Sequence, residues 1–119
     1  MSWFKETKSA LVWNFLESLE DLQNAIELSD KQPVLLYKHS NRCSICSMSK
    51  NRLELYWDVA YNIQPFFLDV IKNRDLSNEI ENQFGIKHES PQALLIRNRK
   101  CVYHASHGDI NFNELKTHI

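Results

Sequence analysis

Two cysteines stand three residues apart in the segment Cys43-Ser44-Ile45-Cys46, and this spacing is the strongest chemical signal in the sequence. A Cys-x-x-Cys pair supports either thiol–disulfide exchange or metal binding. In exchange a thiolate attacks a disulfide sulfur, so the attacking thiol needs a pKa below its ordinary value of about 8.5. We predict that Cys43 is the attacking thiolate. Cys46 lies about one helical turn away, within reach of a mixed disulfide on Cys43.

The residues before Cys43 favour ionisation of its thiol. Arg42 adjoins it, His39 and Lys38 lie shortly upstream, and residues 32–50 contain no acid. A cysteine at the start of a helix also faces backbone N–H groups and the positive end of the helix dipole. We therefore expect both the helix start and the cationic neighbours to lower the pKa of Cys43.

Metal binding is the main alternative chemistry for the pair. A structural zinc site needs four ligands, and Cys43 and Cys46 supply two. The other two would have to come from a scattered set that contains Cys101, His39, His104 and His107. There is no second Cys-x-x-Cys, and no glycines flank the first, so zinc is the weaker interpretation.

The remaining candidates have simpler structural interpretations. Cys101 lies in a predicted strand, where an unpaired cysteine is usually a small buried apolar residue. His107-Gly108-Asp109 is predicted to be a turn. We expect the other candidates to be surface or hydrogen-bonded histidines and core aromatics: His88, His104, His118, Tyr56 and Trp57.

A buried strand and an amphipathic helix are predicted to position Cys43. Residues 34–37 form a continuous apolar run, which is typical of a strand covered on both faces. Residues 44–61 have helical periodicity. The predicted inner face of that helix consists of Ile45, Ser49, Leu53, Tyr56 and Ala60.

The rest of the chain continues this alternation. Residues 11–16 predict a first strand, or an extension of a helix from the N-terminus. A helix is predicted to start at Ser18, and another to end at Gly85. Further elements are a strand over 65–70, a helix over 75–84, strands over 93–96 and 101–105, and a helix over 111–118.

The predicted order is therefore β-α-β-α-β-α-β-β-α. The first three strands, joined by helices, should be parallel, and the last two, joined by a short turn, antiparallel. We predict one α/β domain over residues 1–119, with a mixed sheet of four to five strands flanked by helices.

The composition excludes several classes of protein. Apolar residues make up 43% of the 119 residues, and the net charge of −1 gives no electrostatic reason to expect nucleic acid or an anionic membrane as partner. No apolar run approaches the roughly 18–20 residues of a spanning helix, and the first residues lack a signal peptide's apolar region. We therefore expect a cytoplasmic protein, and the odd number of three cysteines also argues against a secreted disulfide scaffold. In that compartment a close cysteine pair indicates redox or metal chemistry.

Several segments resemble the monothiol bacilliredoxins (the YtxJ type), a family with a thioredoxin-like fold. The active-site segment of that family has a Lys-His-Ser-x-x-Cys-x-Ile-Ser pattern, and residues 38–46 are similar to it. The likeness continues through residues 73–78, 84–92 and 105–107. It covers most of the chain beyond the first dozen residues.

This resemblance implies a thiol–disulfide oxidoreductase that needs no bound cofactor. Bacillithiol, a low-molecular-weight thiol, is the implied co-substrate, and proteins that carry it in mixed disulfides, or other disulfide-bonded proteins, are the implied clients. In thioredoxin-like folds a cis-proline faces the nucleophile, and the backbone beside it binds extended substrates. Pro91 is the residue that fits this position. The resemblance thus predicts Cys43 as the catalytic nucleophile, with a substrate-binding set of His39, Ser40, Arg42, Ser90 and Pro91. The Cys-x-x-Cys spacing itself makes Cys46 the second predicted catalytic residue.

Two departures from related patterns affect the mechanism. The family usually has Ser where this chain has Cys46, so an intramolecular disulfide with Cys43 becomes available. Tyr37 stands where thioredoxin has a buried acid, which makes a general thioredoxin role less favoured. Two alternatives to a bacilliredoxin remain: a dithiol reductase of the thioredoxin or glutaredoxin type, and a non-catalytic binding module.

Overall fold

The computed structural model describes residues 11–119 as a five-stranded sheet with helices on both faces. The strands are β1 (Asn14–Phe15), β2 (Val34–His39), β3 (Gln64–Asp69), β4 (Gln92–Arg97) and β5 (Lys100–Ser106). The helices are α1 (Leu19–Leu28), α2 (Ser44–Tyr56), α3 (Arg74–Phe84) and α4 (Phe112–Leu115). Short 3₁₀ turns cover Val59–Tyr61, His107–Asp109 and Lys116–His118.

The sheet has the predicted mixed topology. Its strand order is β1-β3-β2-β4-β5. β3 pairs in parallel with both β1 and β2, while β4 is antiparallel to β2 and to β5. The fully buried strand β2 therefore lies at the centre, and its carboxyl end leads directly into the cysteine segment.

Two hydrophobic clusters, one on each face of the sheet, hold the helices in place. On one face Leu22 of α1 and Ile80 of α3 pack with Leu36 of β2. On the other face Leu53 of α2 packs with Leu35 and with residues of α4. Successive side chains of β2 thus pack into opposite clusters, because successive residues of a strand point to opposite faces of the sheet.

The predicted helix ends are confirmed where a local side chain or a glycine defines them. The Ser18 hydroxyl accepts a hydrogen bond from the Asp21 N–H at 3.1 Å and starts α1. Gly85 ends α3 with a φ of 70°, a left-handed conformation that glycine adopts without steric cost. Asn111 caps α4 through the Glu114 N–H at 3.2 Å.

The predicted extent of α2 was wrong. The helix ends at Tyr56, because Trp57 turns to an extended conformation (ψ 133°) and Asp58 starts a separate 3₁₀ turn by accepting from the Ala60 N–H at 2.9 Å. An aspartate that bonds the backbone two residues on competes with helix continuation in this way.

The predicted inner face of α2 was also partly wrong. The buried residues of the helix are Cys46, Ser49 and Leu53, whereas Ile45 and Tyr56 are exposed. Ser49 is buried because its hydroxyl donates to the carbonyl of His107 at 3.1 Å. Ala60 lies outside the helix and is exposed. Of the two aromatics predicted to be core, Trp57 is buried and Tyr56 is not.

The two ends of the described chain have less regular structure than predicted. Of residues 11–16 only Asn14–Phe15 form a strand, and this strand pairs with β3 alone. The helix predicted over 111–118 has a single α turn, Phe112–Leu115, and continues as the 3₁₀ turn Lys116–His118.

Candidate active site

Cys43 lies at the junction of strand and helix at the carboxyl edge of the sheet. β2 ends at His39, a short turn follows, and Cys43 is the N-cap residue of α2. The Cys43 N–H donates to the Ser40 carbonyl at 3.3 Å, which closes this turn. Cys43 is partly exposed, while Cys46, one turn into the helix, is completely buried. Only Cys43 is therefore accessible to a large substrate.

The two thiols have opposite pKa shifts. A hydrogen bond from the Cys46 thiol, followed by bonds from the backbone N–H groups of Cys46 and Ile45, lowers the pKa of Cys43. Burial and the shared hydrogen bond with Cys43 raise the pKa of Cys46 to about 11. Near neutral pH Cys43 thus has the greater thiolate fraction, and Cys46 is a protonated hydrogen-bond donor to it.

The predicted effect of the cationic neighbours on the pKa of Cys43 was wrong: Arg42, His39 and Lys38 are not among the causes of its shift. Lys38 is fully buried on the opposite face of the sheet, where its ammonium donates to the carbonyl of Ser77 in α3 at 3.2 Å. Burial lowers the pKa of His39, so this imidazole favours its neutral form. The shift of Cys43 comes instead from hydrogen bonds at the start of α2, the part of the expectation that the structure supports.

Ser90 contacts the cysteine pair from the segment just before β4, and Pro91 follows it in the chain. The peptide bond between them is cis. The Ser90 hydroxyl hydrogen-bonds Cys46 and acts to lower its pKa, against the larger effect of burial. The Pro91 carbonyl accepts from the His107 N–H at 2.9 Å, so the turn after β5 also adjoins this site. Three chain segments that are distant in sequence therefore converge at the cysteines.

The predicted substrate-binding residues differ in accessibility. Arg42 is exposed and Ser90 is partly exposed, but Pro91 is buried, and so are His39 and Ser40, with 4% and 8% of their surface exposed. The Ser40 hydroxyl accepts from the Arg42 N–H at 3.3 Å. His39 and Ser40 thus support the turn from beneath, and Arg42 and Ser90 are the members of this set with exposed surface. The substrate-binding roles themselves stay predictions.

Tyr37 lies beneath the first turns of α2. It is completely buried, and its hydroxyl donates to the Cys46 carbonyl at 3.4 Å. Burial, with the nearby Cys46 thiol, raises its pKa far above the usual range. Tyr37 therefore remains protonated and cannot accept a proton from Cys46, as a buried acid at this position would. It is an anchor for the helix start.

The sequence gave no sign of the contacts that tie α2 to the end of β5. Besides the bond from Ser49 to His107, the guanidinium of Arg52 donates to the carbonyls of Gly108 and Ile110, each at 3.1 Å. A serine and an arginine on a helix have many surface roles, so their spacing carries no signal for this contact.

The alternative zinc site has no ligand set in the part of the chain that the structure describes. Within residues 11–119, no three His, Cys, Asp or Glu side chains are grouped so that they could hold a metal ion. Cys101 packs against the cluster under α1 and α3, and burial raises its pKa, in agreement with a structural role. None of the helices in these residues is long and apolar enough to span a membrane.

Solved structures with the same fold define the class of the protein. One described as an oxidoreductase with a thioredoxin fold aligns with a TM-score of 0.77 and 28% identity, over 97% of this chain and 96% of the other. The thioredoxin of Malassezia sympodialis aligns at 0.70 and 14% identity, over 92% of this chain and 89% of its own. The thioredoxin of Fasciola hepatica aligns with a TM-score of 0.70 and 16% identity, over 87% of this chain and 93% of its own. The fold and the cysteine pair are those of a thioredoxin-fold thiol oxidoreductase.

A family model narrows this class. The model of the monothiol bacilliredoxin BrxC matches residues 14–115, which is most of the chain. The chain therefore belongs to the monothiol bacilliredoxin family, and the resemblance seen in the sequence is confirmed.

The hydrogen bond between the two thiols leads to a test of how Cys43 is activated. Replacing Cys46 by Ala removes the largest cause of the lowered Cys43 pKa, so that pKa should rise toward its ordinary value. Each unit of rise lowers the thiolate fraction at a pH below the pKa by about tenfold. We expect the alkylation rate of Cys43 by iodoacetamide, measured against pH, to shift to higher pH.

The matched control is Cys46→Ser, which keeps an O–H donor at the same place and should shift the profile less. A Cys46→Ala profile that superposes on that of the wild type would show that the backbone N–H groups alone activate Cys43.

Proposed function

We propose that the protein removes bacillithiol from mixed disulfides on client proteins, with Cys43 as the nucleophile. The observation that carries the proposal is a partly exposed Cys43 of lowered pKa at the start of α2, in a chain of the monothiol bacilliredoxin family. The adjoining Ser90 supports it, since its hydroxyl hydrogen-bonds Cys46 and so brings a third chain segment to the cysteine pair. The proposed site of action is the cytoplasm.

The first step is a thiol–disulfide exchange, in which one disulfide bond forms as another breaks. The Cys43 thiolate attacks the bacillithiol sulfur of the mixed disulfide, and the client sulfur leaves as a thiolate that takes a proton from water. Cys43 then carries bacillithiol in a new disulfide. The client is reduced, and Cys43 is oxidised to the same degree.

Two routes return Cys43 to its thiolate form. In the monothiol route a second bacillithiol thiolate attacks the adduct, which yields bacillithiol disulfide and free Cys43. In the dithiol route Cys46 loses its proton and attacks the Cys43 sulfur, bacillithiol leaves as a thiolate, and the Cys43–Cys46 disulfide awaits an external dithiol. The hydrogen bond between the two thiols favours Cys46 as a resolving residue, while its pKa of about 11 slows that attack near neutral pH.

Intact-mass spectrometry after exposure to bacillithiol disulfide tests both the function and the route. We expect one bacillithiol adduct to accumulate on Cys46→Ser, because Cys43 is active and the resolving thiol is absent. In the wild type the adduct should be transient and give way to the internal disulfide, a loss of two hydrogens. An adduct that persists equally on the wild type indicates the monothiol route.

Cys101→Ser is the matched control, since it removes a cysteine that lies away from the pair, and its masses should follow those of the wild type. If no form takes up bacillithiol while the wild type and Cys101→Ser reduce a peptide disulfide and Cys46→Ser does not, the protein is instead a general dithiol reductase. The Cys46 thiol beside Cys43 is the observation that favours this second candidate.

A further inference from the structure

Lys38 is a buried cation that the exchange chemistry does not use. Among residues 11–119 it is the one Lys, Arg, Asp or Glu side chain that is buried, with 0% of its surface exposed. Its ammonium donates to the Ser77 carbonyl at 3.2 Å and lies 3.4 Å from Nδ1 of His88. A lysine at the end of the central strand thus reaches across the layer of α3 to the segment that follows it.

The chemistry of these groups assigns the proton on His88. An ammonium has donors only, so Nδ1 of His88 must be the acceptor, and the ring is neutral with its proton on Nε2. The Ser77 hydroxyl, 2.7 Å from the same Nδ1, is the closer donor and shares this one acceptor with the Lys38 ammonium. Burial, and then the charge of Lys38, lowers the pKa of His88, in agreement with the neutral form.

The network holds a segment without regular secondary structure. Residues 86–91 join the end of α3 to β4. The His88 N–H donates to a Glu81 carboxylate oxygen at 2.9 Å, and the Lys87 carbonyl accepts from the Gln92 side-chain amide at 2.9 Å. The imidazole of His88 is the one side chain of the segment that Lys38 contacts. Ser90 and Pro91, which adjoin the cysteines, come directly after these anchor points.

The charge of Lys38 is costly where it lies. Burial lowers its pKa to about 8, so the folded protein holds the ammonium against a desolvation penalty. A methionine would fill similar space without that penalty, and apolar replacements of buried charges are often neutral or stabilising. Fold stability therefore does not explain why a lysine is present here. The need to hold residues 86–91 in position does explain it.

We propose that Lys38 is a positioning residue for disulfide exchange, whose ammonium holds the 86–91 segment through His88 and so places Ser90 and Pro91 beside the substrate. The inference rests on the proposed function only in that it needs Cys43 to exchange disulfides. It predicts a defect in substrate binding and leaves the ionisation of Cys43 unchanged, because that ionisation comes from Cys46 and the start of α2.

The test compares Lys38→Met with Lys31→Met, which removes an exposed lysine. Initial rates are measured with a bacillithiol mixed disulfide and with a peptide disulfide. For Lys38→Met we expect kcat/KM to fall about 10- to 100-fold, mainly through KM, which is the scale of a small misplacement of a binding segment. The alkylation rate of Cys43 and the near-UV circular dichroism should match those of the wild type and of Lys31→Met.

A second pair of variants keeps the proposal testable if Lys38→Met does not fold. His88→Asn retains an acceptor near the position of Nδ1 and should keep a KM close to that of the wild type, whereas His88→Leu should raise it as Lys38→Met does. Unchanged KM values in Lys38→Met, or in His88→Leu when the first variant is unfolded, overturn the proposal. A wild-type protein that reduces the peptide disulfide but not the bacillithiol mixed disulfide contradicts the proposed function. The role of Lys38 is then decided by the KM values for the peptide disulfide.

Discussion

Replacement of Cys43 by Ser is expected to reduce thiol–disulfide exchange to the uncatalysed background. Cys43 is the accessible thiol of the pair, and hydrogen bonds at the start of α2 favour its thiolate. A serine hydroxyl does not ionise near neutral pH, so Cys43→Ser has no nucleophile at this position. The measurement is the rate at which a client peptide thiol is released from a bacillithiol mixed disulfide.

The expected loss is chemical and not structural. Cys43 is partly exposed, so Cys43→Ser should change the free energy of unfolding by no more than about 0.5 kcal/mol. Cys101→Ser is the control for the loss of a thiol as such and should retain the wild-type rate. Turnover by Cys43→Ser near the wild-type rate would contradict the assignment and move the nucleophile to another cysteine.

Replacement of Tyr37 by Ala is expected to lower the free energy of unfolding by about 3–5 kcal/mol, the range for loss of a large buried aromatic side chain. The ring is completely buried in the cluster under α2, with centroids 5.4 Å from Trp13 and 6.3 Å from Phe67. A loss of this size is a large part of the 5–15 kcal/mol typical of a domain. Urea denaturation followed by Trp fluorescence measures it.

Two controls separate the packing of Tyr37 from its hydroxyl group. Tyr37→Phe keeps the ring and removes only the hydrogen bond to the Cys46 carbonyl, so it should cost about 1 kcal/mol. Tyr56→Ala removes an exposed tyrosine from the same region and should cost less than about 0.5 kcal/mol. Equal losses for Tyr37→Ala and Tyr56→Ala would show that the cluster contributes little to stability.

Tyr37 also links stability to the chemistry of the site. Its ring supports α2 from beneath, and its hydroxyl bonds the carbonyl of Cys46. Because it remains protonated, the site has no buried acid at this position to remove the proton of Cys46. This agrees with a reaction in which Cys43 attacks first. Cys46 then attacks the Cys43 sulfur slowly, or a second small thiol attacks it instead of Cys46.

Most of the fold could be predicted because its signals are local. The apolar run of β2, the Ser18 cap of α1 and the Gly85 end of α3 each depend on residues next to one another in the chain, and each was placed within a few residues. The order of elements then determined a mixed sheet, because short turns give antiparallel strands and helical crossovers parallel ones. The end of α2 was missed because the helical periodicity of the apolar residues continues past Tyr56, whereas the Asp58 side chain starts a separate 3₁₀ turn there.

By itself the sequence determined the cysteine spacing and the strand-to-helix junction that carries Cys43. Tertiary structure decided which neighbours do not act on Cys43 and, through burial, the raised pKa of Cys46. Lys38 and His39 are close to Cys43 in the chain, yet the pleat of β2 and the burial of both side chains prevent them from acting as its cationic partners. An electrostatic effect depends on distance through space and on solvent exposure, and packing between remote segments sets both.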